Sequence, residues 1–252
     1  MDDLRAKRVL ITGASTGIGE AVARGFAARG ASLALHYNRS EAPAKALVES
    51  IVASGGKAVL VQGDLTQRGV AKRVVEAAAE KLGGLDILIN NAGSLIRRVP
   101  FSEVDDALID EVFDLNVRSV IAAVQAAVPY LERQPGGAII NVGSIAGADG
   151  GGPGSAVYAS SKAFIHNLTK HLARDLAAKG IRVNTVSPGV IATPFHAATP
   201  PERMEAMRKA VPLGRVGTPE ECVGAFLFLA SPSMSGYITG QNIHLNGGQF
   251  LH

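Results

Sequence analysis

The sequence contains no tryptophan and only one cysteine, and it has no long run of hydrophobic residues. A single cysteine, Cys222, excludes an intrachain disulfide and a zinc site made of several thiolates, a usage typical of a reducing compartment. The longest apolar stretches, GAFLFLA and VIAAVQAAV, are too short to cross a bilayer, and the N-terminus lacks the pattern of a secretory signal. We therefore expect a cytoplasmic protein that does not enter a membrane.

The chain also lacks a strong excess of charge of either sign. Its 25 basic residues are scattered among 22 acidic ones, which leaves a net charge of +3. No stripe of Lys and Arg with interleaved aromatic residues occurs, so phosphate tracking and base stacking both lack their usual components. This composition argues against a nucleic-acid partner.

Glycine and alanine are abundant instead, and two kinds of segment alternate regularly along the chain. Of the 252 residues, 47% are hydrophobic, 19% are charged and 29 are glycines, a balance typical of a packed α/β domain. Short β-branched runs alternate with longer Ala-rich amphipathic stretches, and neither a repeat nor a linker divides the chain. We predict a single domain over residues 1–252, built as a doubly wound, seven-stranded parallel sheet with helices on both faces.

The predicted elements alternate along the chain. We predict strands at Arg8–Thr12, Ser32–Tyr37, Ala58–Gln62, Asp86–Asn90, Ala138–Val142, Arg182–Ser187 and Asn242–Leu245. We predict helices at Gly17–Arg29, Pro43–Ser54, Arg68–Leu82, Asp105–Glu132 (broken near Asp110), Tyr158–Lys179 and Pro219–Leu229, the last with Thr218 as N-cap. Residues 188–217 interrupt this alternation with five prolines and a short helical patch, which is typical of a lid or binding loop.

A glycine-rich turn follows the first predicted strand. In TGASTGIG, Gly13, Gly17 and Gly19 lead into a helix. Glycines allow a tight turn and the close approach of a ligand, and the free N–H groups of a helix start can bind a pyrophosphate. The spacing is GxxxGxG rather than the common GxGxxG, so the loop alone is also compatible with a βα turn that binds nothing.

Polar residues recur after the later strands. Asp64 follows the third strand, NNAG at residues 90–93 follows the fourth, and Ser144 ends the fifth. Asp64 suits either an adenine amino group or a turn cap, and Asn116 disfavours the helix around it unless its side chain has a role. All these positions map to the carboxyl edge of a parallel sheet, where ligands bind.

A tyrosine and a lysine lie four residues apart in SAVYASSKAF. On a helix, Tyr158 and Lys162 share one face, and a fixed cation favours the phenolate form of a tyrosine. That arrangement would make Tyr158 a tunable proton donor. Taken alone, however, the pair is more often a solvated lysine beside a half-buried tyrosine.

The ordered set TGASTGIG, NNAG, Asn116, Ser144, YASSK and PGVIAT resembles the short-chain dehydrogenase/reductase family over nearly the whole chain. The C-terminal GYITGQNIHLNGGQ is similar to the end of bacterial members related to 3-oxoacyl-carrier-protein reductases and glucose dehydrogenases. The resemblance implies a Rossmann fold and a nicotinamide-dependent oxidoreductase that acts on a small carbonyl or alcohol substrate without a metal ion. The main alternative is a catalytically silent dinucleotide sensor or scaffold, which we would expect to have lost at least one catalytic residue.

The resemblance assigns four catalytic residues. Ser144 would bind the substrate oxygen, and Tyr158 would exchange a proton with it. Lys162 would hold the nicotinamide ribose and lower the pKa of Tyr158, and Asn116 would support a water that supplies protons towards Lys162. Because Tyr158, Lys162 and Ser144 are all present, the silent alternative is disfavoured. The spacing of four between tyrosine and lysine also argues against an enoyl reductase, in which these residues lie further apart.

The resemblance also implies which residues bind the cofactor. The expected set is Gly13, Ser15, Thr16, Gly17, Ile18, Gly19, Asn38, Arg39, Ser40, Asp64, Leu65, Asn91, Ala92, Gly93, Tyr158, Lys162, Pro188, Gly189, Ile191 and Thr193. Within it, Thr193 would contact the nicotinamide carboxamide, or would be a loop residue that caps the lid helix.

Cofactor preference depends on LALHYNRSE at the end of the second strand. Enzymes that select NAD usually place an acid there, about 20 residues beyond the glycine loop, but none occurs here before Glu41. Asn38, Arg39 and Ser40 instead suit a 2′-phosphate. Thr16 occupies the family's other basic position, so we predict a preference for NADP(H), with NAD(H) possible and Arg39 as the main contact. Alternatively, Arg39 only opens the following helix in solvent.

The motifs do not specify the substrate. Candidate lining residues are Leu95, Ile96, Arg97, Arg98, the loop Gly150–Gly154, Phe195, His196, Met204 and Met207. We predict that Arg97 or Arg98 favours a carbonyl compound with an acidic group; the alternative is that both arginines are simply solvated.

Assembly is predicted from two helices and the C-terminal tail. The segments Asp110–Glu132 and Tyr158–Lys179 carry many alanines and few large polar residues on one side, and the tail adds Phe250 and Leu251. Together with the resemblance, these features predict a homotetramer. Asn246 stands where relatives commonly carry aspartate, which leaves the details of assembly open.

Overall fold

The computed structural model describes residues 2–197 and 199–251, and its centre is one parallel β-sheet. The strands are β1 (Arg8–Ile11), β2 (Ser32–Tyr37), β3 (Lys57–Gln62), β4 (Ile87–Asn90), β5 (Ala138–Val142), β6 (Arg182–Pro188) and β7 (Asn242–Leu245). They are ordered β3-β2-β1-β4-β5-β6-β7, and every neighbouring pair is parallel. The strand order changes direction between β1 and β4, the position at which doubly wound sheets bind their ligands. The predicted fold class is confirmed.

Helices cover both faces of this sheet. They are α1 (Gly17–Ala27), α2 (Glu41–Ala53), α3 (Val70–Leu82), α4 (Asp106–Phe113), α5 (Ser119–Leu131), α6 (Ala146–Asp149), α7 (Ala156–Asp175), α8 (Pro201–Lys209), α9 (Pro219–Ala230) and α10 (Pro232–Ser235). Successive residues of β1 point to opposite faces, so Val9 and Ile11 pack with α1, α2 and α9, whereas Leu10 packs with α3, α5 and α7. The sheet therefore lies between two hydrophobic cores.

The predicted long helix Asp105–Glu132 differs most from the structure. Its break is not at Asp110: α4 and α5 are joined by a turn of π-helix at Asp114–Arg118. Apolar periodicity does not distinguish one π-turn within a helix, so the position of the break could not be read from the pattern. The other predicted helices agree within a few residues, except that α7 ends at Asp175 and a separate 3-10 turn follows at Ala177–Lys179.

No helix within residues 2–197 or 199–251 is both long and apolar enough to span a bilayer.

Arg8 and Asp86 join the amino ends of the two central strands. Arg8 Nε and the Arg8 backbone N–H donate to Asp86 Oδ2 at 2.7 and 2.8 Å, and Arg8 Nη2 donates to Oδ1 at 3.1 Å. The Asp86 side chain is only 7% exposed. Burial raises the pKa of this carboxyl, but the hydrogen bonds and charge of Arg8 together lower it further, so the pKa lies below its ordinary value.

Replacing Asp86 should therefore destabilise the fold. We expect Asp86→Asn to lower the free energy of unfolding by about 1.5–3 kcal/mol at pH 7, because it removes a charged acceptor from a buried network. Because the folded pKa of Asp86 is depressed, its contribution is present above the ordinary aspartate pKa of about 4 and is lost as the pH falls through the folded value. Urea denaturation at pH 7 and below pH 4 measures both effects.

The matched control is Asp110→Asn, which alters an exposed ion pair with Arg118 at 3.6 Å. A surface pair of this kind contributes about 0–1 kcal/mol. Equal losses in the two variants, or an undiminished effect of Asp86→Asn in acid, would show that the Arg8–Asp86 network does not stabilise the sheet as described.

Candidate active site

A cavity of about 1130 Å³ opens at the carboxyl edge of the sheet. It is lined by the glycine loop, the ends of β2, β4 and β5, the start of α7 and the segment that follows β6. Every residue of the predicted cofactor set lies in this lining, together with Ser144. Residues from widely separated parts of the sequence therefore meet in one long cavity, as the parallel topology predicts.

The glycine loop can take its shape only because Gly13, Gly17 and Gly19 have no side chains. Gly13 and Gly17 have φ angles of +62° and +60°, in the left-handed region. A Cβ atom on Gly19 would lie 2.3 Å from Gly13 O and 2.6 Å from Asn91 Nδ2. This close approach leaves the start of α1 open to the cavity, where its free N–H groups fit a pyrophosphate.

His36 and Asn91 hold this loop from two sides. Asn91 Nδ2 donates to Thr12 O at 2.9 Å and to Gly13 O at 2.8 Å. His36 Nδ1 accepts from the Gly13 N–H at 3.1 Å, and Nε2 bonds to Gly63 O at 2.9 Å, which requires the neutral ring with its proton on Nε2. Burial lowers the pKa of His36 and so favours that neutral form. The role of His36 was not predicted; its only sequence signal is a polar residue in the apolar strand LALHY.

The end of the cavity near β2 carries the predicted cofactor-selecting residues. Asn38, Arg39 and Ser40 are exposed and line the cavity. Arg39 forms no ion pair with a carboxylate in the described part of the chain. Asp64 also lines the cavity, but its Oδ1 accepts from the Thr66 N–H at 3.1 Å and the Thr66 hydroxyl at 2.7 Å. Asp64 therefore caps its own turn, and the contact with an adenine amino group stays a prediction.

Lys162 lies at the opposite end of the cavity and is only 4% exposed. Its Nζ donates to Val142 O at 2.7 Å and lies 5.8 Å from the centre of the Tyr158 ring. Burial lowers the pKa of Lys162 to about 8. A Cβ atom on Gly93 would lie 3.1 Å from this Nζ and 3.0 Å from Asn116 Oδ1, so the glycine provides the space that both side chains occupy.

Tyr158 and Ser144 form a pair beside Lys162. Burial raises the pKa of Tyr158, while a hydrogen bond with Ser144 and the charge of Arg98 partly offset this rise. The expectation that Lys162 gives the tyrosine a lowered pKa is not met in this structure, because burial outweighs the groups that favour the phenolate. Tyr158 is therefore a neutral phenol at ordinary pH and can donate a proton.

Asn116 lies behind the cavity lining, in the π-turn between α4 and α5. It is fully buried; its Oδ1 accepts from the Ser94 N–H at 3.0 Å, and its Nδ2 donates to Ser94 O at 2.9 Å and to Ser161 Oγ at 3.1 Å. These bonds connect the loop after β4 to α7, which carries Tyr158. Such π-turns occur frequently at functional sites, because they displace one side chain from the regular helical position.

The segment after β6 and the C-terminal tail form another wall of the cavity. A Cβ atom on Gly17 would lie 3.2 Å from Thr193 Cβ, and one on Gly189 would lie 2.8 Å from Asn246 Cα. Gln249 from the tail also lines the cavity, and its buried Oε1 has no hydrogen-bond partner in the described residues. The sequence did not indicate that the tail reaches the site. Asn246, whose identity departs from the family pattern, bonds to the Phe250 carbonyl and the Gly248 N–H.

The predicted substrate-lining residues divide into two groups. Those that line the cavity are Leu95, Ile96, Arg98, Gly151, Gly152, Phe195, His196 and Met207. The Phe195 ring lies 5.8 Å from the Tyr158 ring. Those outside the lining are Arg97, Met204, Gly150, Pro153 and Gly154. Of the two adjacent arginines Arg98 lines the cavity and Arg97 does not, and of the two methionines Met207 lines it and Met204 does not.

Comparison with known proteins gives relatives over the full length. Residues 13–249 match the family model described as Enoyl-(Acyl carrier protein) reductase. The chain is 39% identical over 249 residues to a 3-oxoacyl-[acyl-carrier-protein] reductase of Staphylococcus aureus, covering 97% of this chain and 98% of the relative.

Solved structures agree with the sequence relatives. The NADH-dependent reductase A1-R′, responsible for alginate metabolism, has a TM-score of 0.92 at 37% identity. The alignment covers 100% of this chain and 100% of that chain. A short-chain dehydrogenase of Burkholderia cenocepacia in complex with NADP has a TM-score of 0.92 at 36% identity, covering 98% of this chain and 99% of that chain. The chain therefore belongs to the short-chain dehydrogenase/reductase family.

Proposed function

We propose that this chain is an NAD(P)(H)-dependent oxidoreductase that interconverts a carbonyl group and an alcohol on a small molecule in the cytoplasm. The proposal rests on one observation: Ser144, Tyr158 and Lys162 meet at one end of a cavity whose other end is a glycine loop suited to a pyrophosphate. One domain supplies all these groups, and residues 188–217 act as its lid. When bound, the nicotinamide cofactor donates or accepts the hydride.

The protein's own residues manage the substrate oxygen and its proton. Ser144 orients that oxygen, and the Tyr158 phenol donates its proton to it when a carbonyl is reduced. The tyrosine O–H bond breaks as the product O–H bond forms, which leaves a phenolate. The Lys162 ammonium stabilises that phenolate. Although burial lowers the pKa of Lys162 to about 8, this value is still above neutral pH, so the lysine is largely charged. Asn116 acts by positioning the loop after β4 against α7.

Carbonyl chemistry is favoured over reduction of a carbon–carbon double bond. The matched family model is described as an enoyl reductase, but the similar relative of Staphylococcus aureus is described as a 3-oxoacyl reductase. Tyr158 and Lys162 lie four residues apart on α7, the spacing that argued against enoyl reduction in the sequence. A silent dinucleotide sensor is disfavoured by a cavity that keeps the complete set of proton-handling groups.

NADP(H) is the preferred cofactor in this proposal, and NAD(H) is a possible second one. Arg39 lines the cavity at the end of β2 and has no carboxylate partner among residues 2–197 and 199–251, so it is available to a 2′-phosphate. Relatives of both kinds exist, since one similar structure holds NADP and another is an NADH-dependent reductase. In this proposal Arg39 is the main contact that distinguishes the two cofactors, beside the hydrogen-bonding side chains of Asn38 and Ser40.

Assembly as a homotetramer completes the proposal. Phe164 on α7 and Ile109 on α4 are 41% and 39% exposed, and Leu251 in the tail is 80% exposed. Exposed apolar side chains on neighbouring helices suit contact between subunits.

Tyr158→Phe tests the catalytic assignment. We expect turnover to fall by about a hundredfold or more, because the positioned proton donor is lost, while cofactor affinity stays nearly unchanged. Initial rates of NADPH oxidation and the fluorescence of bound NADPH measure the two quantities separately. Tyr237→Phe is the matched control, since Tyr237 is fully exposed and lies outside the cavity. Normal turnover of the Tyr158 variant on a substrate that the parent accepts would overturn the assignment.

Arg39→Ala tests the cofactor preference. The Michaelis constant for NADPH should rise about tenfold or more, and that for NADH should hardly change, because only NADPH carries the phosphate that the guanidinium binds. Arg29→Ala, a change at an exposed position outside the cavity, should alter neither constant. A parent enzyme that prefers NADH, or equal effects of Arg39→Ala on both cofactors, would contradict this part of the proposal.

Light scattering tests the assembly. The parent should have about four times the chain mass of 26.0 kDa at micromolar concentration. Phe164→Arg should shift the population towards smaller species, because it places a charge in the proposed contact. A stable monomer of the parent protein would rule the tetramer out.

A further inference from the structure

The adjacent residues Arg97 and Arg98 have different environments. Arg97 Nη2 bonds to both carboxylate oxygens of Asp105, at 2.7 and 2.8 Å, and lies outside the cavity lining. Arg98 is half-buried and lines the cavity, and its Nη1 donates to the Pro153 carbonyl at 3.2 Å. One guanidinium is thus neutralised on the surface, and the other brings a positive charge to the cavity.

The charge of Arg98 acts on the catalytic tyrosine. Burial raises the pKa of Tyr158, and the charge of Arg98 offsets part of that rise; burial and then the charge of Arg98 lower the pKa of His196. The guanidinium is therefore within electrostatic range of both side chains. Phe195 and His196, which belong to the proposed lid, line the same part of the cavity. Arg98 and Tyr158 therefore line the same cavity, within electrostatic range of each other.

A second arginine approaches Arg98 from the lid. Arg203 on α8 donates from Nη2 to Pro153 O at 2.8 Å, so the two guanidinium groups share one carbonyl oxygen. Burial and the charge of Arg203 both lower the pKa of Arg98. A Cβ atom on Gly154 would lie 3.3 Å from Arg98 Cβ, and one on Gly152 would lie 3.3 Å from Arg203 Nη2. The glycine-rich loop thus makes room for both cations.

This pair lacks an anionic partner within the described residues. No carboxylate in residues 2–197 or 199–251 lies within 4.0 Å of a nitrogen of Arg98 or Arg203. The carboxylates that line the cavity are Asp64, Glu111, Asp114 and Asp149, and none of them forms an ion pair with Arg98 or Arg203. Asp114 pairs with Arg118, and Asp149 Oδ1 accepts from the Gly151 N–H at 2.8 Å. Two cations that share only a neutral carbonyl repel each other, and an anion between them would remove that repulsion.

We propose that Arg98, supported by Arg203 through the Pro153 carbonyl, forms an anion subsite beside Tyr158. The substrate is accordingly a small aldehyde or ketone that also carries a carboxylate. The carboxylate accepts from the Arg98 guanidinium while the carbonyl oxygen faces Ser144 and Tyr158. This inference rests on the proposed function, since it names the substrate class of the same site.

Equilibrium binding of two matched compounds tests the subsite without any turnover. The probes are 4-carboxybenzaldehyde and its methyl ester, which share the reacting carbonyl but differ in charge. Calorimetric titration of the full chain without nicotinamide cofactor, at low ionic strength, should show the acid binding about tenfold or more tightly than the ester, the range for hydrogen bonds to a charged group. Arg98→Met should abolish this preference, and Arg203→Met should reduce it.

Arg97→Met is the matched control, because Arg97 is the adjacent guanidinium and lies outside the cavity. It should leave the acid-to-ester ratio unchanged. Equal affinities of the parent for acid and ester, a ratio that persists in both Arg98→Met and Arg203→Met, or a loss that Arg97→Met reproduces, would each overturn the subsite. Thermal unfolding checks that every variant is folded.

The same probes separate this inference from the proposed reaction. Addition of NADPH to the parent with each aldehyde measures turnover. An acid preference in binding with no NADPH oxidation by either compound would leave the anion subsite standing and would count against the proposed function. NADPH oxidation at equal specificity constants for acid and ester would support the proposed function and overturn the subsite.

Discussion

The lack of space beside Gly19 is the constraint on which the site depends. Any side chain there would enter the contact between the Gly13 carbonyl and the Asn91 amide, which would lie 2.3 and 2.6 Å from its Cβ. The Asn91 amide joins the ends of β1 and β4, and His36 holds the Gly13 N–H from β2. Three strand ends are thus fixed around one loop, and the start of α1 is directed at the position where the strand order reverses.

A chain of buried polar side chains gives the opposite end of the site a rigid base. Asn90 donates to Asn141, Asn141 donates to Thr169, and Thr169 is hydrogen-bonded to Thr185, all at 2.8–2.9 Å. These bonds connect β4, β5, α7 and β6 just below the residues that face the cavity. A fully satisfied buried network of this kind favours one arrangement over others, because each member left unpaired would be costly. The helix that carries Tyr158 is therefore fixed to the sheet that binds the cofactor.

The sequence predicts the parts of this molecule that local pattern controls. The seven strands follow from their apolar runs, and the start of α9 follows from Thr218 and Glu221, which form a capping box in the structure. The local sequence pattern does not predict the direction of individual side chains in loops. Arg97 and Arg98 are adjacent and chemically identical, but Arg97 pairs with Asp105 across the loop whereas Arg98 lines the cavity. The π-turn around Asn116 and the bridge made by His36 depend equally on distant partners.

Burial controls the protonation of Tyr158 and Lys162 at one end of the cavity. Burial raises the pKa of Tyr158 above its ordinary value, and it lowers the pKa of Lys162 to about 8 because it disfavours the ammonium form. In the proposed reaction the phenol gives up its proton, and the resulting phenolate would be stabilised by the Lys162 ammonium, which lies 5.8 Å from the ring centre. A low dielectric raises the free energy of each charged group on its own. It also strengthens the attraction between the phenolate and the ammonium. Burial at this end of the cavity therefore keeps the tyrosine protonated, and in the proposed reaction the Lys162 ammonium offsets part of the cost of deprotonating it.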